Sequence, residues 1–201
     1  MMKIGVMASG RGSNLQAIID AVETGRLPVE ITCVISDNED AVALERARKA
    51  GIRDVYLDVK SFPTRKDFYA KVVETFRNCG VELVVLAGFM RIVKEPLLSA
   101  YKDRIVNIHP ALLPSFPGLH GQKQAVDYGA KVSGCTVHFV DAGCDTGPII
   151  AQIAVTVKDD DTEETLSERI LKEEHKLFPK VIGLIAAGKI RIEGRKVFVE
   201  E

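Results

Sequence analysis

The sequence predicts an α/β fold: a doubly wound, mostly parallel sheet with helices on both faces, forming a single domain over residues 1–201. Three observations predict it. Short β-branched runs alternate with longer stretches of helical period through the first two thirds of the chain, the pattern of strands joined by crossover helices. The run Val81-Glu82-Leu83-Val84-Val85-Leu86-Ala87 is apolar on both faces, as expected for a central parallel strand covered by helices above and below. A length of 201 residues suits one domain with a sizeable core.

Taken in chain order, strands are expected at 3–7, 30–36, 54–57, 83–86 and 104–108, with helices at 14–24, 40–49, 64–78 and 95–101 between them. After His109 the texture changes, because Pro110, Pro114 and Pro117 fall close together and forbid regular structure, leaving a shaped loop. Two further strands, 133–139 and 149–157, are joined by a Gly-rich connection. A long helix over 163–187 and a terminal hairpin over 190–199 complete the chain.

Charge and composition exclude several classes of function. Lys and Arg number 27 against 28 Asp and Glu, a formal net charge of −1 without a polybasic block, which argues against nucleic acid as the main ligand. No apolar stretch approaches the roughly 18 residues that cross a bilayer, so no membrane partner is expected. The N-terminal residues lack the apolar region and cleavage site of a signal peptide, which predicts a cytoplasmic protein. Cys33, Cys79, Cys135 and Cys144 are spaced too widely for a metal knuckle or a disulfide scaffold and are expected as reduced thiols.

Four segments carry candidate chemistry. The turn Ser9-Gly10-Arg11-Gly12-Ser13-Asn14 joins the first strand to the first helix. Its glycines admit close approach, and the free amides of the helix start favour an anion such as a phosphate monoester; a plain turn capped by Ser13 or Asn14 is the simpler reading. A dinucleotide fingerprint would need a third glycine where Leu15 stands, although Asp37 lies where a ribose-binding acid would. In Asn107-Ile108-His109-Pro110, residues two apart on a strand share a face. Asn107 and His109 can therefore converge as a neutral donor for an oxyanion and a proton carrier, or His109 can serve only to anchor a loop. Between the two later strands, Asp145 of Asp141-Ala142-Gly143-Cys144-Asp145 either sits in a polar turn or orients the imidazole of His109. On the long helix, Glu174 falls near the middle of the apolar arc, where a carboxylate needs a partner: a structural cation or a substrate amine. Cys135 and His138, three apart on a strand, point to opposite faces, so they do not form a metal site.

Together, Ser9–Ile18, Leu86-Ala87-Gly88-Phe89-Met90-Arg91-Ile92, Asn107-Ile108-His109-Pro110 with Leu113-Pro114, and His138-Phe139-Val140 with Asp145-Thr146-Gly147-Pro148 resemble the formyltransferase family, in order and over nearly the whole chain. The resemblance implies transfer of a formyl group from the cosubstrate 10-formyltetrahydrofolate to the primary amine of glycinamide ribonucleotide in purine biosynthesis, with neither metal nor nicotinamide. It implies that Gly12, Ser13 and Asn14 hold the ribonucleotide phosphate and that Glu174 receives the amine. Arg65, Met90, Arg91, Ile92, Val93, Asn107, Val140 and Asp141 would contact the folate, and Asn107, His109 and Asp145 would be catalytic. Gln122 stands where relatives carry a second histidine, a departure that bears on any auxiliary proton relay. A formyltetrahydrofolate deformylase, expected to carry a further domain that 201 residues do not accommodate, is the alternative; a nicotinamide-dependent oxidoreductase is more remote.

Overall fold

Seven strands are hydrogen-bonded in the order Arg53–Tyr56, Val29–Ser36, Met2–Met7, Leu83–Leu86, Ile105–His109, Val132–Phe139 and Ile149–Thr156, and two more, Ile190–Glu193 and Lys196–Val199, form a separate ribbon. The computed structural model describes residues 1–200. In chain order the elements are β1 (Met2–Met7), α1 (Ser13–Glu23), β2 (Val29–Ser36), α2 (Val42–Lys49), β3 (Arg53–Tyr56), α3 (Arg65–Asn78), β4 (Leu83–Leu86), α4 (Leu97–Ala100) and β5 (Ile105–His109). Then come α5 (Gly121–Tyr128), β6 (Val132–Phe139), β7 (Ile149–Thr156), α6 (Glu163–Ala186), β8 (Ile190–Glu193) and β9 (Lys196–Val199). The chain forms two compact units, Met1–Val106 and the remainder from Asn107.

In the first unit β1 pairs in parallel with both β2 and β4, and β2 with β3. The chain moves outward from β1 to β3 and then returns to the other side of β1 as β4. Right-handed crossovers therefore place α1 and α2 on one face and α3 on the other, with the switch in direction between β1 and β4. Burial follows from this: Ile4, Val6 and Met7 of β1, Val34 and Ile35 of β2, and Val84 and Val85 of β4 are fully buried. In the second unit β6 and β7 run antiparallel with a bulge between Val137 and His138, and α6 packs on both strands. Leu166, Ile170, Leu177, Phe178, Val181 and Ile182 form the buried stripe of α6, begun by a capping box at Thr162 and Thr165.

Three elements differ from the sequence expectation. Helix α2 starts at Val42 rather than 40, because the Asn38 side chain accepts from the Asp40 amide and holds that segment in a turn. The helix expected over 95–101 is a single turn, Leu97–Ala100, with Pro96 at its N-cap. Helix α5 follows the Pro-rich loop where no regular element was expected. Only Gly121 and Ala125 of its residues are buried, so it shows no apolar stripe in the sequence.

Candidate active site

Strand β5 ends at His109, and the side-chain alternation of its last residues sets the centre of the second unit. Ile108 is buried, while Asn107 and His109 turn the other way. His109 is 3 % exposed. Its Nε2 lies 2.8 Å from the Phe116 carbonyl oxygen, which can only accept, so Nε2 carries the proton and donates. Its Nδ1 faces Asp145 Oδ2 at 3.4 Å, an ion-pair distance longer than a normal N–H···O bond. His138 donates from Nδ1 to the Phe139 carbonyl at 2.8 Å, and its Nε2 accepts from Asn107 Nδ2 at 3.2 Å and stands 3.6 Å from Asp145 Oδ1. One carboxylate thus faces two imidazoles, and the Gly118 amide donates to its Oδ2 at 2.8 Å.

The connection that carries Asp145 is tightly shaped. Asp145 adopts a left-handed backbone, φ 54°, which aspartate tolerates better than most residues. Gly147 leaves no room for a side chain, since a Cβ would lie 1.8 Å from the Phe139 carbonyl oxygen. Asp141 accepts from the Gly143 amide at 3.0 Å and the Thr146 hydroxyl at 2.6 Å, and Val140 before it is half-buried. Glu174 is 5 % exposed on the inner stripe of α6, close enough to Cys135 of β6 for its charge to help push that thiol up to about 12, behind the larger effect of burial.

In the first unit the loops after β1 and β4 meet at the switch point, where open α/β sheets bind ligands. Gly12, φ 67°, is the N-cap of α1 and approaches Ala43 so closely that a Cβ would stand 2.8 Å from its Cβ. No side chain caps this helix, whose start carries the positive end of the helix dipole. The Ser9 hydroxyl donates to Asp37 at 2.6 Å and accepts from the Met90 amide at 3.0 Å, and Arg91 pairs with the same aspartate. Asp37 is therefore consumed by the scaffold instead of standing as a ribose acceptor. Met90, 62 % exposed, and Ile92 project outward, Val93 is buried, and the Ile92 carbonyl accepts from Tyr69 Oη at 2.9 Å. Arg65 is exposed at the start of α3.

The Formyl transferase family model matches residues 2–182. The chain belongs to the formyl transferase family. It resembles the crystal structure of glycinamide ribonucleotide transformylase 1 from Symbiobacterium toebii with a TM-score of 0.99 and 52 % identity, over 100 % of this chain and 95 % of that one. It is 43 % identical to phosphoribosylglycinamide formyltransferase of Bacillus subtilis (strain 168), over 90 % of this chain and 93 % of that protein. It is also 47 % identical, over 94 % of this chain, to the trifunctional purine biosynthetic protein adenosine-3 of Drosophila pseudoobscura pseudoobscura, of whose length it spans 14 %.

In this formyl transferase, electrostatics separates the roles that the clustered groups can take. Burial lowers the pKa of His109; the Asp145 charge and the Phe116 carbonyl work against it, and His138 works with it, so the imidazole is a neutral base near pH 7. Burial opposes ionisation of Asp145 but is outweighed by His138, the Gly118 amide and the charge of His109, which hold the carboxyl at about 2. A fixed anion beside a neutral imidazole is an arrangement that can take up and return one proton. The sequence reading missed His138 as a member of this cluster, because spacing along one strand does not show which residue of another strand its side chain meets, here Asn107. It also missed two backbone groups, the Gly118 amide and the Phe116 carbonyl, for which no side-chain signal exists. Among the described residues no group of three His, Cys, Asp or Glu could hold a metal ion, and no helix is long and apolar enough to cross a membrane.

Proposed function

We propose that this chain transfers the formyl group of 10-formyltetrahydrofolate to the primary amine of glycinamide ribonucleotide, a step of purine biosynthesis. The observation that carries the reading is the Asp145 carboxylate facing His109 and His138, with the Asn107 amide on His138. Formyl transfer needs these groups. As the amine nitrogen bonds to the formyl carbon, the carbonyl oxygen gains negative charge and the nitrogen becomes acidic. Asn107 and His109 donate to that oxygen, His109 using the same Nε2–H that meets a carbonyl oxygen at Phe116. The proton shed by the amine passes by way of His109, whose charged form faces the Asp145 anion, to the folate nitrogen as its bond to the formyl carbon breaks.

The other roles follow residue by residue. Gly12, Ser13 and Asn14 hold the phosphate with backbone amides and the helix dipole, as the uncapped start of α1 supports. Glu174 receives the glycinamide ammonium, its carboxylate on the buried stripe of α6 supplying the opposite charge. Arg65, Met90, Arg91, Ile92, Val93, Asn107, Val140 and Asp141 contact the folate, the exposed apolar side chains of Met90 and Ile92 suiting a flat ring. The whole chain acts as one formyltransferase domain, on small molecules in the cytoplasm.

The test is to incubate the protein with 10-formyltetrahydrofolate, with and without glycinamide ribonucleotide, and follow tetrahydrofolate by absorbance. Release that requires the amine is expected. Release without it would make the chain a hydrolase of formylfolate, and no release in either arm would overturn formyl transfer.

A further inference from the structure

Three residues in register across β1, β2 and β3 present one face of the sheet to the end of α3. Gly5 pairs with Cys33, and Cys33 with Arg53. Residues paired across neighbouring strands lie on the same side of a sheet, strands being about 4.8 Å apart. The side is fixed by Gly5, where a Cβ would stand 2.5 Å from the Phe76 ring of α3. Cys79 lies three residues beyond Phe76, at the C-cap of the same helix and so over the same face. The contacts agree: Arg53 Nη1 donates to Cys79 Sγ at 3.7 Å, and Cys79 is near enough to Cys33 to help raise its pKa, behind the larger effect of burial. Tyr101 meets Phe76 edge-on, and its buried hydroxyl has no hydrogen-bond partner among the described residues. Both cysteines are free; Cys33 is fully buried and Cys79 half-buried.

We propose that Cys33 and Cys79 are a reversible dithiol–disulfide site, closed by low-molecular-mass disulfides and reopened by thiols. Access and charge set the order of events. Cys79 is the sulfur that solvent reaches, and the Arg53 guanidinium faces it, whereas burial pushes the Cys33 thiol well above its ordinary value. The Cys79 thiolate attacks one sulfur of the reagent; that S–S bond breaks and one reagent thiol leaves. Cys33 then gives up its proton and attacks Cys79 Sγ, expelling the second reagent thiol. Two cysteines are oxidised by two electrons and one reagent disulfide is reduced to two thiols. Burial keeps the Tyr101 phenol protonated. The link joins β2 to the end of α3 and closes the chain between residues 33 and 79.

The experiment equilibrates the full chain, in wild-type and Cys144→Ser forms, with oxidised glutathione, blocks residual thiols with N-ethylmaleimide and maps unreduced peptides by mass. The Cys144 variant removes the exposed thiol. Expected are a peptide pair joined through Cys33 and Cys79, loss of two titratable thiols without added glutathione at either position, and reversal by dithiothreitol. The linked form should melt about 5–15 °C higher, as closure of a long loop predicts. Cys33→Ser should instead retain glutathione on Cys79, and Arg53→Gln should close severalfold more slowly. A wild-type chain in which both thiols stay reduced, or in which Cys79 keeps glutathione while Cys33 stays reduced, would overturn the proposal.

Discussion

His109 stands between two oxygen acceptors, the Phe116 carbonyl at Nε2 and the Asp145 carboxylate at Nδ1. In its neutral form it turns a lone pair toward an anion. Proton uptake converts that contact into an ion pair, although burial resists the charge. Asp145→Asn removes the charge that raises the imidazole pKa, so the acid limb of kcat/KM should move to lower pH. Turnover should fall by about 10²- to 10⁴-fold, with KM for either substrate nearly unchanged. An acid limb that stays in place would mean that Asp145 does not act on His109. Gly12→Ala tests the other unit, because the new Cβ meets Ala43 at 2.8 Å with φ at 67°. A loss of about 1–3 kcal/mol in denaturant unfolding is expected. Period-two alternation made Asn107 and His109 legible as a pair in the sequence. Nothing in one-dimensional spacing could show that Asp145 reaches them, nor that His138 meets Asn107.

At the scale of elements, the loop after β5 is held by side chains from the strands that follow it. Thr136 donates to the Ala111 carbonyl at 2.7 Å and accepts from the Leu113 amide at 3.1 Å, and Gln152 bridges Thr136 and the Leu113 carbonyl at 2.9 Å each. The prolines of this segment cannot donate, and several of its other backbone groups find partners outside it. Thr136→Val keeps the shape but orphans buried donors and acceptors, with an expected cost of about 1–3 kcal/mol read by urea unfolding. Since Phe116 lies on this loop, turnover should fall as well. Thr162→Ala at the capping box of α6 should cost about 1 kcal/mol, seen as a lower unfolding midpoint. Strands and amphipathic helices announced themselves by period. Helix α5 did not, because the prolines before it and its lack of an apolar stripe read as loop.

For the whole molecule, the alternation of strand and helix was enough to read a doubly wound sheet, whereas the antiparallel pairing of β6 with β7 depends on partners that periodicity does not name. The titration of the whole chain carries a prediction of its own. Asp145 moves from an ordinary 3.8 in the unfolded chain to about 2 when folded, so the stability it confers is present above pH 3.8 and is lost as pH falls toward 2. That contribution is about 2 kcal/mol. His109 acts with the same sign: its folded value lies below the ordinary 6.5, so under acid the unfolded chain binds a proton that the folded imidazole refuses, and stability declines as pH falls below 6.5. Urea midpoints measured from pH 7 to 2 should therefore decline in two stages, the first beginning near 6.5 and the second below about 4. Asp145→Asn should be less stable at pH 7 by about 2 kcal/mol and should flatten the second stage. A variant whose profile ran parallel to wild type below pH 4 would show that the carboxylate is not held by the imidazoles and the Gly118 amide, since those contacts are what bring its folded titration below the unfolded one against the effect of burial.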